Sequence, residues 1–254
     1  MAVRLSVEKH RADIVLDRPN VHNAMDFGLF EELERVTGEV SGHDDVRVVV
    51  VSGAGQSFSS GIDTTTFGRP MPPGDLIAQA QAGIRRLEAL PVPTIAEVRG
   101  HAYGAGLQLA LACDIRVVAS DARLGLLETK YGLIPDLGGT HRLPGLVGPG
   151  MAKKMMWLAE RIDGAEAGRR GLAEVVVEPK GLGEAVDVLA TDLAATPPIV
   201  AREVKRLVDR APRSTFTEAM DEVADAQEKV MASDDFAEAI SAFLQRRDPS
   251  FRGR

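Results

Sequence analysis

The stretch from Arg99 to Asp114, RGHAYGAGLQLALACD, constrains the fold more than any other part of the chain. Three glycines separate an apolar run, residues 94–98, from an alanine- and leucine-rich run, residues 107–112. This pattern predicts a strand, a tight turn and a helix, because glycine permits sharp turns and close backbone approach. Such a junction directs free backbone N–H groups and the positive end of the helix dipole toward one point. We therefore expect the stretch to stabilise a negative charge.

Strand and helix patterns alternate through residues 46–120, which predicts an α/β fold with a mainly parallel sheet. Residues 3–16 alternate as a hairpin does, and the apolar run 47–51 is typical of a strand buried on both faces. Residues 27–41 have helical spacing with Asp26 as the N-cap. We also predict helices and strands elsewhere: helix 75–90, strands 114–119 and 174–178, and helices 182–194, 198–210, 215–232 and 234–246. The chain is thus predicted to divide into a body, residues 1–195, and a helical C-terminal region, residues 196–254.

Composition limits the classes of function. The net charge of −7 argues against a general nucleic-acid partner. No apolar run approaches the roughly 18 residues of a membrane span, and the N-terminus lacks a signal-peptide pattern, so a soluble cytoplasmic protein is expected. The single cysteine, Cys113, cannot form an internal disulfide and fits a reducing compartment. The five histidines lack metal-ligand spacing, and no metal site is expected.

Two glycine-containing turns follow predicted buried strands, at residues 58–63 and 99–106. Each could present a backbone N–H to a shared oxyanion; alternatively, the glycines serve only to make the turns tight. Neither turn has the spacing of a dinucleotide fingerprint or a phosphate-binding P-loop. Ser57, Ser59 and Ser60 lack the flanking glycines of a nucleophile elbow.

Glu128 and Asp136 lie eight residues apart, and Gly132 and Pro135 between them require the chain to bend. Two carboxylates at one apolar lip could form an acid/base pair with raised pKa values. The alternatives are a charge at a helix N-terminus for Glu128 and a turn or cap residue for Asp136.

Five ordered motifs resemble the crotonase, or enoyl-CoA hydratase/isomerase, superfamily. They occupy residues 16–24, 49–63, 99–114, 132–143 and 243–251. The resemblance implies a crotonase-like spiral of ββα turns with a helical C-terminal trimerisation region, in a homotrimer or a dimer of trimers. It implies an acyl-CoA substrate and no separate cofactor, because coenzyme A is part of the substrate.

The same resemblance assigns roles by motif position. The thioester oxygen would bind the backbone N–H groups of Ile62 and Ala105, an oxyanion hole for an enolate-like charge. Residues 64–80, expected to be loop-like, would shape the acyl pocket. The tail arginines Arg246 and Arg252, like Arg247, are candidates for binding the phosphates of coenzyme A. The alternative is that they form a basic end exposed to solvent. The implied substrate and CoA contacts are His22, Ser60, Asp63, Gly104, Gln108, Arg247 and Phe251.

One departure from the family pattern bears on the reaction. Hydratases of this superfamily use two glutamates; the second matches Glu128, but the first falls on Gln108, whose amide cannot exchange a proton. Asp136 matches the position of a catalytic aspartate in dienoyl-CoA isomerases. The resemblance therefore favours an isomerase in which Glu128 and Asp136 move the proton. The alternatives are a hydratase using Glu128 with Gln108 or Asp136 assisting, and a non-catalytic acyl-CoA binder.

Overall fold

Nine strands lie within residues 1–66 and 72–253, the part of the chain that the computed structural model describes. They are β1 (Val3–Glu8), β2 (Arg11–Leu16), β3 (Val48–Gly53), β4 (Thr94–Val98), β5 (His101–Tyr103), β6 (Ile115–Ala119), β7 (Arg123–Gly125), β8 (Ile162–Asp163) and β9 (Val175–Val177). One sheet has the order β1-β2-β3-β4-β6-β9, and a smaller one has the order β5-β7-β8. Pairing from β2 to β9 in the large sheet is parallel, while the β1–β2 hairpin is antiparallel. The predicted α/β class is confirmed.

Ten α-helices lie within the same described ranges. They are α1 (Phe27–Val40), α2 (Pro73–Glu88), α3 (Ala105–Leu111), α4 (Gly139–Val147), α5 (Pro149–Trp157), α6 (Gly164–Arg169), α7 (Leu182–Ala195), α8 (Pro198–Arg210), α9 (Phe216–Met231) and α10 (Asp234–Gln245). Short 3₁₀ helices occupy Pro19–Val21, Thr64–Thr66, Glu128–Tyr131, Pro179–Gly181 and Ala211–Arg213. None of the described helices is long and apolar enough to cross a bilayer.

Local sequence explains where the main elements lie. The run of four valines in β3 is buried, as expected for a central strand of a parallel sheet, and β2 and β4 pair with its two edges. The Asp26 side chain caps α1 by accepting a hydrogen bond of 2.8 Å from the Leu29 N–H. The four predicted C-terminal helices are present within a residue or two of their expected bounds.

The segment expected to be a loop, residues 64–80, differs from that prediction. Residues 64–66 form a 3₁₀ turn, and α2 already begins at Pro73. Proline is favoured at the first position of a helix, because the N–H that it lacks would have no partner there. Residues 67–71 lie outside the described part of the chain. The helix after the glycine turn also begins earlier than residue 107, at Ala105.

Contacts with the body hold the C-terminal helices in place. The Lys205 ammonium of α8 lies 2.8 Å from the Asp114 carboxylate and 3.1 Å from the Val92 carbonyl oxygen. The Asp235 carboxylate, buried in α10, accepts hydrogen bonds from the N–H groups of Arg252 and Gly253. The tail is thereby folded back onto α10, and the Phe251 carbonyl accepts a 2.7 Å hydrogen bond from Arg47 of the body.

Candidate active site

The two predicted glycine-containing turns are joined by backbone hydrogen bonds. Ser59 donates its N–H to the His101 carbonyl at 2.8 Å, and its own carbonyl accepts the Tyr103 N–H at 3.0 Å. A bridge between Met25 and Ile62 adds the loop that precedes α1. The segments are so close that a side-chain carbon on Gly61 would lie 2.8 Å from the Tyr103 carbonyl oxygen.

The backbone N–H groups of Ile62 and Ala105 are both available to a ligand. Neither has a hydrogen-bond acceptor among residues 1–66 and 72–253. Ala105 is the first residue of α3, and the first N–H groups of a helix have no partner within it. The backbone nitrogen of Ala105 is 3.7 Å from the point that a side-chain carbon on Gly61 would occupy. The predicted pair of donors therefore lies at one place.

A cavity of about 480 Å³ adjoins these donors. Most of its wall is apolar and comes from the loop before α1, from α1 and α2, and from the segment after β7. The apolar lining comprises Val21, Ala24, Phe30, Ile62, Ile77, Ala80, Ala105, Leu127, Leu133, Ile134 and Leu137. The polar and ionisable side chains in the lining are Ser60, Asp63, Thr64, Tyr103, Gln108, Glu128, Tyr131 and Asp136.

Glu128 stands at the first residue of a 3₁₀ helix with its carboxyl group in the cavity wall. Burial raises the pKa of this carboxyl, and the negative charge of Asp136 acts in the same direction. The Gln108 amide donates a 2.7 Å hydrogen bond to Oε1, while Oε2 is buried without a partner in the described part of the chain. The raised pKa and the unpartnered Oε2 suit this carboxyl group to exchange a proton.

Asp136 lies in the same cavity wall, on the bend that the sequence predicted. Burial raises the pKa of its carboxyl as well. Gln81 of α2 donates a 2.6 Å hydrogen bond to its carbonyl oxygen, and Arg142 of α4 donates at 2.9 Å to the carbonyl of Leu137. Neither Gln81 nor Arg142 was predicted as a site residue: Gln81 lies outside the motifs, and Arg142, although within the motif at residues 132–143, acts through a contact that the motif does not reveal.

Gln108 differs from the substrate contact that the resemblance implied. Its side chain is buried, and its Oε1 accepts hydrogen bonds from the N–H groups of Leu137 at 2.8 Å and Gly139 at 2.9 Å. Its Nε2 donates to Glu128. The amide thus lies in the cavity wall as expected, but its polar atoms are engaged by the chain itself.

Asp63 also bonds within the chain. Its carboxylate accepts from the Thr65 hydroxyl at 2.7 Å and pairs with Arg18 at 3.1 Å. The Thr65 hydroxyl, and with it Arg18, holds the pKa of Asp63 below its ordinary value. Asp63 therefore stays charged and fixes the turn. Ser60 also lines the cavity, and its N–H donates to the His22 carbonyl at 2.9 Å.

Comparison with known proteins gives the same family that the motifs resemble. A family model described as enoyl-CoA hydratase/isomerase matches residues 8–254. The chain belongs to this family. A short-chain-enoyl-CoA hydratase of Clostridium acetobutylicum is 34% identical over 96% of this chain and 95% of its own length.

Solved structures of the enoyl-CoA hydratase/isomerase family have the same fold. The crystal structure of an enoyl-CoA hydratase from Bacillus anthracis has a TM-score of 0.95 at 32% identity and covers 100% of both chains. A Thermobifida fusca structure in complex with acetoacetyl-CoA has a TM-score of 0.86 at 38% identity and covers 91% of this chain and 95% of that one. The crotonase-like architecture is confirmed.

Three residues to which the family resemblance assigned substrate or CoA contacts are not among the residues that line this cavity. The His22 ring contacts Ser57 and His101 and is not in the cavity lining. The Arg247 guanidinium forms two hydrogen bonds, of 2.6 and 2.8 Å, with the Glu238 carboxylate. The Phe251 carbonyl is held by Arg47, just before β3, whereas the cavity lies beyond the other end of that strand. These internal contacts, which the motifs do not reveal, keep the tail away from this chain's own cavity.

The site has no arrangement that would hold a metal ion. Across the two described ranges, no group of three or more histidine, cysteine, aspartate or glutamate side chains is so placed. The cavity lining includes the two free N–H donors of Ile62 and Ala105 and two carboxyls of raised pKa, those of Glu128 and Asp136.

Proposed function

We propose that the chain moves a carbon–carbon double bond within an enoyl- or dienoyl-CoA thioester. The observation that carries this proposal is the set of groups around the cavity. Glu128 and Asp136 have raised pKa values. Gln108, at the position of the first hydratase glutamate, is an amide that is hydrogen-bonded within the chain itself. Two such carboxyls can remove a proton and return it to a different carbon.

The proposed reaction begins when the thioester oxygen accepts hydrogen bonds from the Ile62 and Ala105 N–H groups. Glu128 or Asp136 then takes a proton from a carbon next to, or conjugated with, the thioester carbonyl, and the resulting enolate charge lies on the oxygen. One preorganised donor of this kind typically contributes about 3–4 kcal/mol. The same carboxyl or its partner returns the proton to another carbon. The reaction needs no separate cofactor, because no electrons are gained or lost.

Two observations support an acyl-CoA ester as the substrate. The Thermobifida fusca relative was solved with acetoacetyl-CoA, a thioester of the same class. The apolar wall of the cavity suits a hydrocarbon chain, since burial of apolar surface favours binding by about 25 cal/mol per Å².

Hydration of an enoyl-CoA is the second candidate function. It is favoured by the name of the Clostridium acetobutylicum relative, a short-chain-enoyl-CoA hydratase. In that case Glu128 alone would exchange protons with the added water, and Asp136 or Gln108 would orient it. The internal bonding of Gln108 speaks for the isomerase.

The experiment that separates them offers the purified protein a trans-2-enoyl-CoA and a 3-enoyl-CoA in parallel. We expect double-bond migration of the second ester to exceed hydration of the first. We expect Glu128→Ala and Asp136→Ala each to lower kcat by about 10²- to 10⁴-fold, the usual contribution of a general acid or base.

Three results would contradict the proposal. Faster hydration than isomerisation would favour the hydratase. Full turnover by both alanine variants would remove these carboxyls from the mechanism. Tight binding of a panel of saturated, enoyl, dienoyl and aromatic CoA esters without turnover of any would indicate a non-catalytic binder.

A further inference from the structure

We propose that Gln108 is a positioning residue that fixes which oxygen of Glu128 exchanges the proton and ties Glu128 to the segment bearing Asp136. The inference rests on the proposed function, in which Glu128 exchanges a proton with the substrate. It goes beyond it by giving the amide a role that involves no contact with substrate.

The orientation of the Gln108 amide follows from its neighbours. Its Oε1 faces the N–H groups of Leu137 and Gly139, at 2.8 and 2.9 Å. If the amide were flipped, its NH₂ group would face these two N–H donors. The two backbone N–H groups and the NH₂ group would then have no acceptor in a buried site. The NH₂ group therefore faces Oε1 of Glu128, 2.7 Å away.

This orientation makes the two oxygens of Glu128 unequal. Oε1 already receives an N–H from Gln108 in either protonation state. A proton on Oε1 would face that N–H, so the neutral carboxyl carries its proton on Oε2. Oε2 is buried and has no partner among the described residues, which leaves it as the atom that gives and takes the proton.

Gln108 also joins two parts of the site that are distant in sequence. Its carbonyl oxygen holds residues 137–139, immediately after Asp136, while Gln81 and Arg142 hold the carbonyls of the same segment. Its other end holds Glu128. One side chain from α3, the helix that also supplies the Ala105 N–H, therefore fixes the position of both carboxyls relative to the oxyanion donors. A displacement of about 1 Å in such a site can lower a rate by about 10²-fold.

The test uses two substitutions of Gln108 in the full-length protein. Gln108→Met keeps the length of the side chain but removes the donor and the acceptor. Gln108→Glu keeps an acceptor for the Leu137 and Gly139 N–H groups and replaces the donor facing Glu128 by a carboxyl oxygen. Gln81→Ala is the matched control, because it also loosens the Asp136 segment but does not contact Glu128.

The first readout is the titration of the Glu128 carboxyl in the ligand-free protein, by carbon-13 NMR, with Glu128→Gln identifying the signal. The amide hydrogen bond lowers the pKa of Glu128, so both Gln108 variants should move the titration to higher pH. Gln81→Ala should leave the titration in place. An unchanged titration in Gln108→Glu, the variant that retains the acceptor, would overturn the proposal.

The second readout is steady-state kinetics on the ester that the wild-type protein turns over. We expect kcat of Gln108→Met to fall by about 10- to 100-fold while KM changes by less than about threefold, as for a residue that acts through another. A large rise in KM at constant kcat would show a substrate contact instead and would overturn the proposal.

The two readouts distinguish a failure of this inference from a failure of the proposed function. If Glu128→Ala keeps full turnover, the carboxyl titration still reports whether Gln108 controls Glu128. If Gln108→Met does not fold, the titration of Glu128 in Gln108→Glu tests the inference, whereas the kinetics of that variant would also report the added carboxyl.

Discussion

At the scale of single residues, the carboxyl of Glu128 has a surrounding that favours its neutral form. It is largely buried, its neighbour in the cavity is another carboxyl, and the nearest donor is the uncharged Gln108. Gly104 faces it without a side chain: a carbon there would lie 3.5 Å from Oε1. An active group is thus kept at a cost to folding, because burying its charged form is unfavourable.

This cost gives a prediction for Glu128→Gln, whose amide oxygen can still accept from Gln108. The pKa of Glu128 in the folded protein is raised above its ordinary value, 4.5. At a pH between 4.5 and the raised pKa, the folded wild-type protein therefore binds more protons than the unfolded one. The contribution of Glu128 to the free energy of unfolding therefore falls as the pH rises through this range. Relative to the wild type, the variant should gain stability with rising pH and show no gain below the ordinary value.

Urea unfolding from about pH 4 to about pH 8 measures this difference. Glu8→Gln, at an exposed strand end, is the control and should show no such trend. A stability difference between Glu128→Gln and wild type that is constant or shrinks as pH rises would contradict the assignment of a raised pKa.

At the scale of elements, the turn that begins α3 determines where the oxyanion donor points. Gly104 has a φ of +49° and a ψ of −120°, a conformation that residues with a side chain rarely adopt. Its N–H donates to the Gly125 carbonyl at 2.9 Å, which fixes the turn to β7. The direction of the Ala105 N–H follows from this one backbone conformation.

We expect Gly104→Ala to lower stability by about 1–3 kcal/mol, the usual range for strained backbone, and to lower kcat more than it raises KM. Either the turn rotates, which moves the Ala105 N–H, or the strain is retained. Gly150→Ala in α5 is the matched control, because a side-chain carbon there meets nothing within 4 Å and alanine favours a helix. Equal behaviour of the two variants in thermal unfolding and kinetics would contradict this account.

The elements were largely predictable from the sequence, since their signals are local. The cap at Asp26 and the spacing of apolar residues predicted α1 to within a residue of its end. The glycine turns and the bend between Glu128 and Asp136 were predicted in the same way. The hydrogen bonds of Gln108 and Gln81 were not, because they join residues 20 to 55 positions apart.

At the scale of the whole molecule, the last two helices have an apolar surface that the chain leaves uncovered. Phe216 begins α9 with 82% of its surface exposed, and on α10 the exposed fractions of Phe243 and Leu244 are 82% and 75%. Large exposed apolar side chains of this kind are typical of interaction surfaces. The family resemblance implies trimer contacts for this region, and we propose that second and third copies of the chain cover it.

Phe243→Asp tests this assembly. Burial of one such side chain contributes about 1.5–3 kcal/mol, and a carboxylate in its place would be desolvated without a partner. We expect the wild type to sediment as a trimer or hexamer of 27.2 kDa chains and the variant to sediment mainly as the single chain at low micromolar concentration. Gln245→Glu adds a charge about 200° farther around the same helix and should keep the wild-type mass. A wild type that stays at 27.2 kDa at every concentration, or an unchanged mass for Phe243→Asp, would show that this surface does not join copies of the chain.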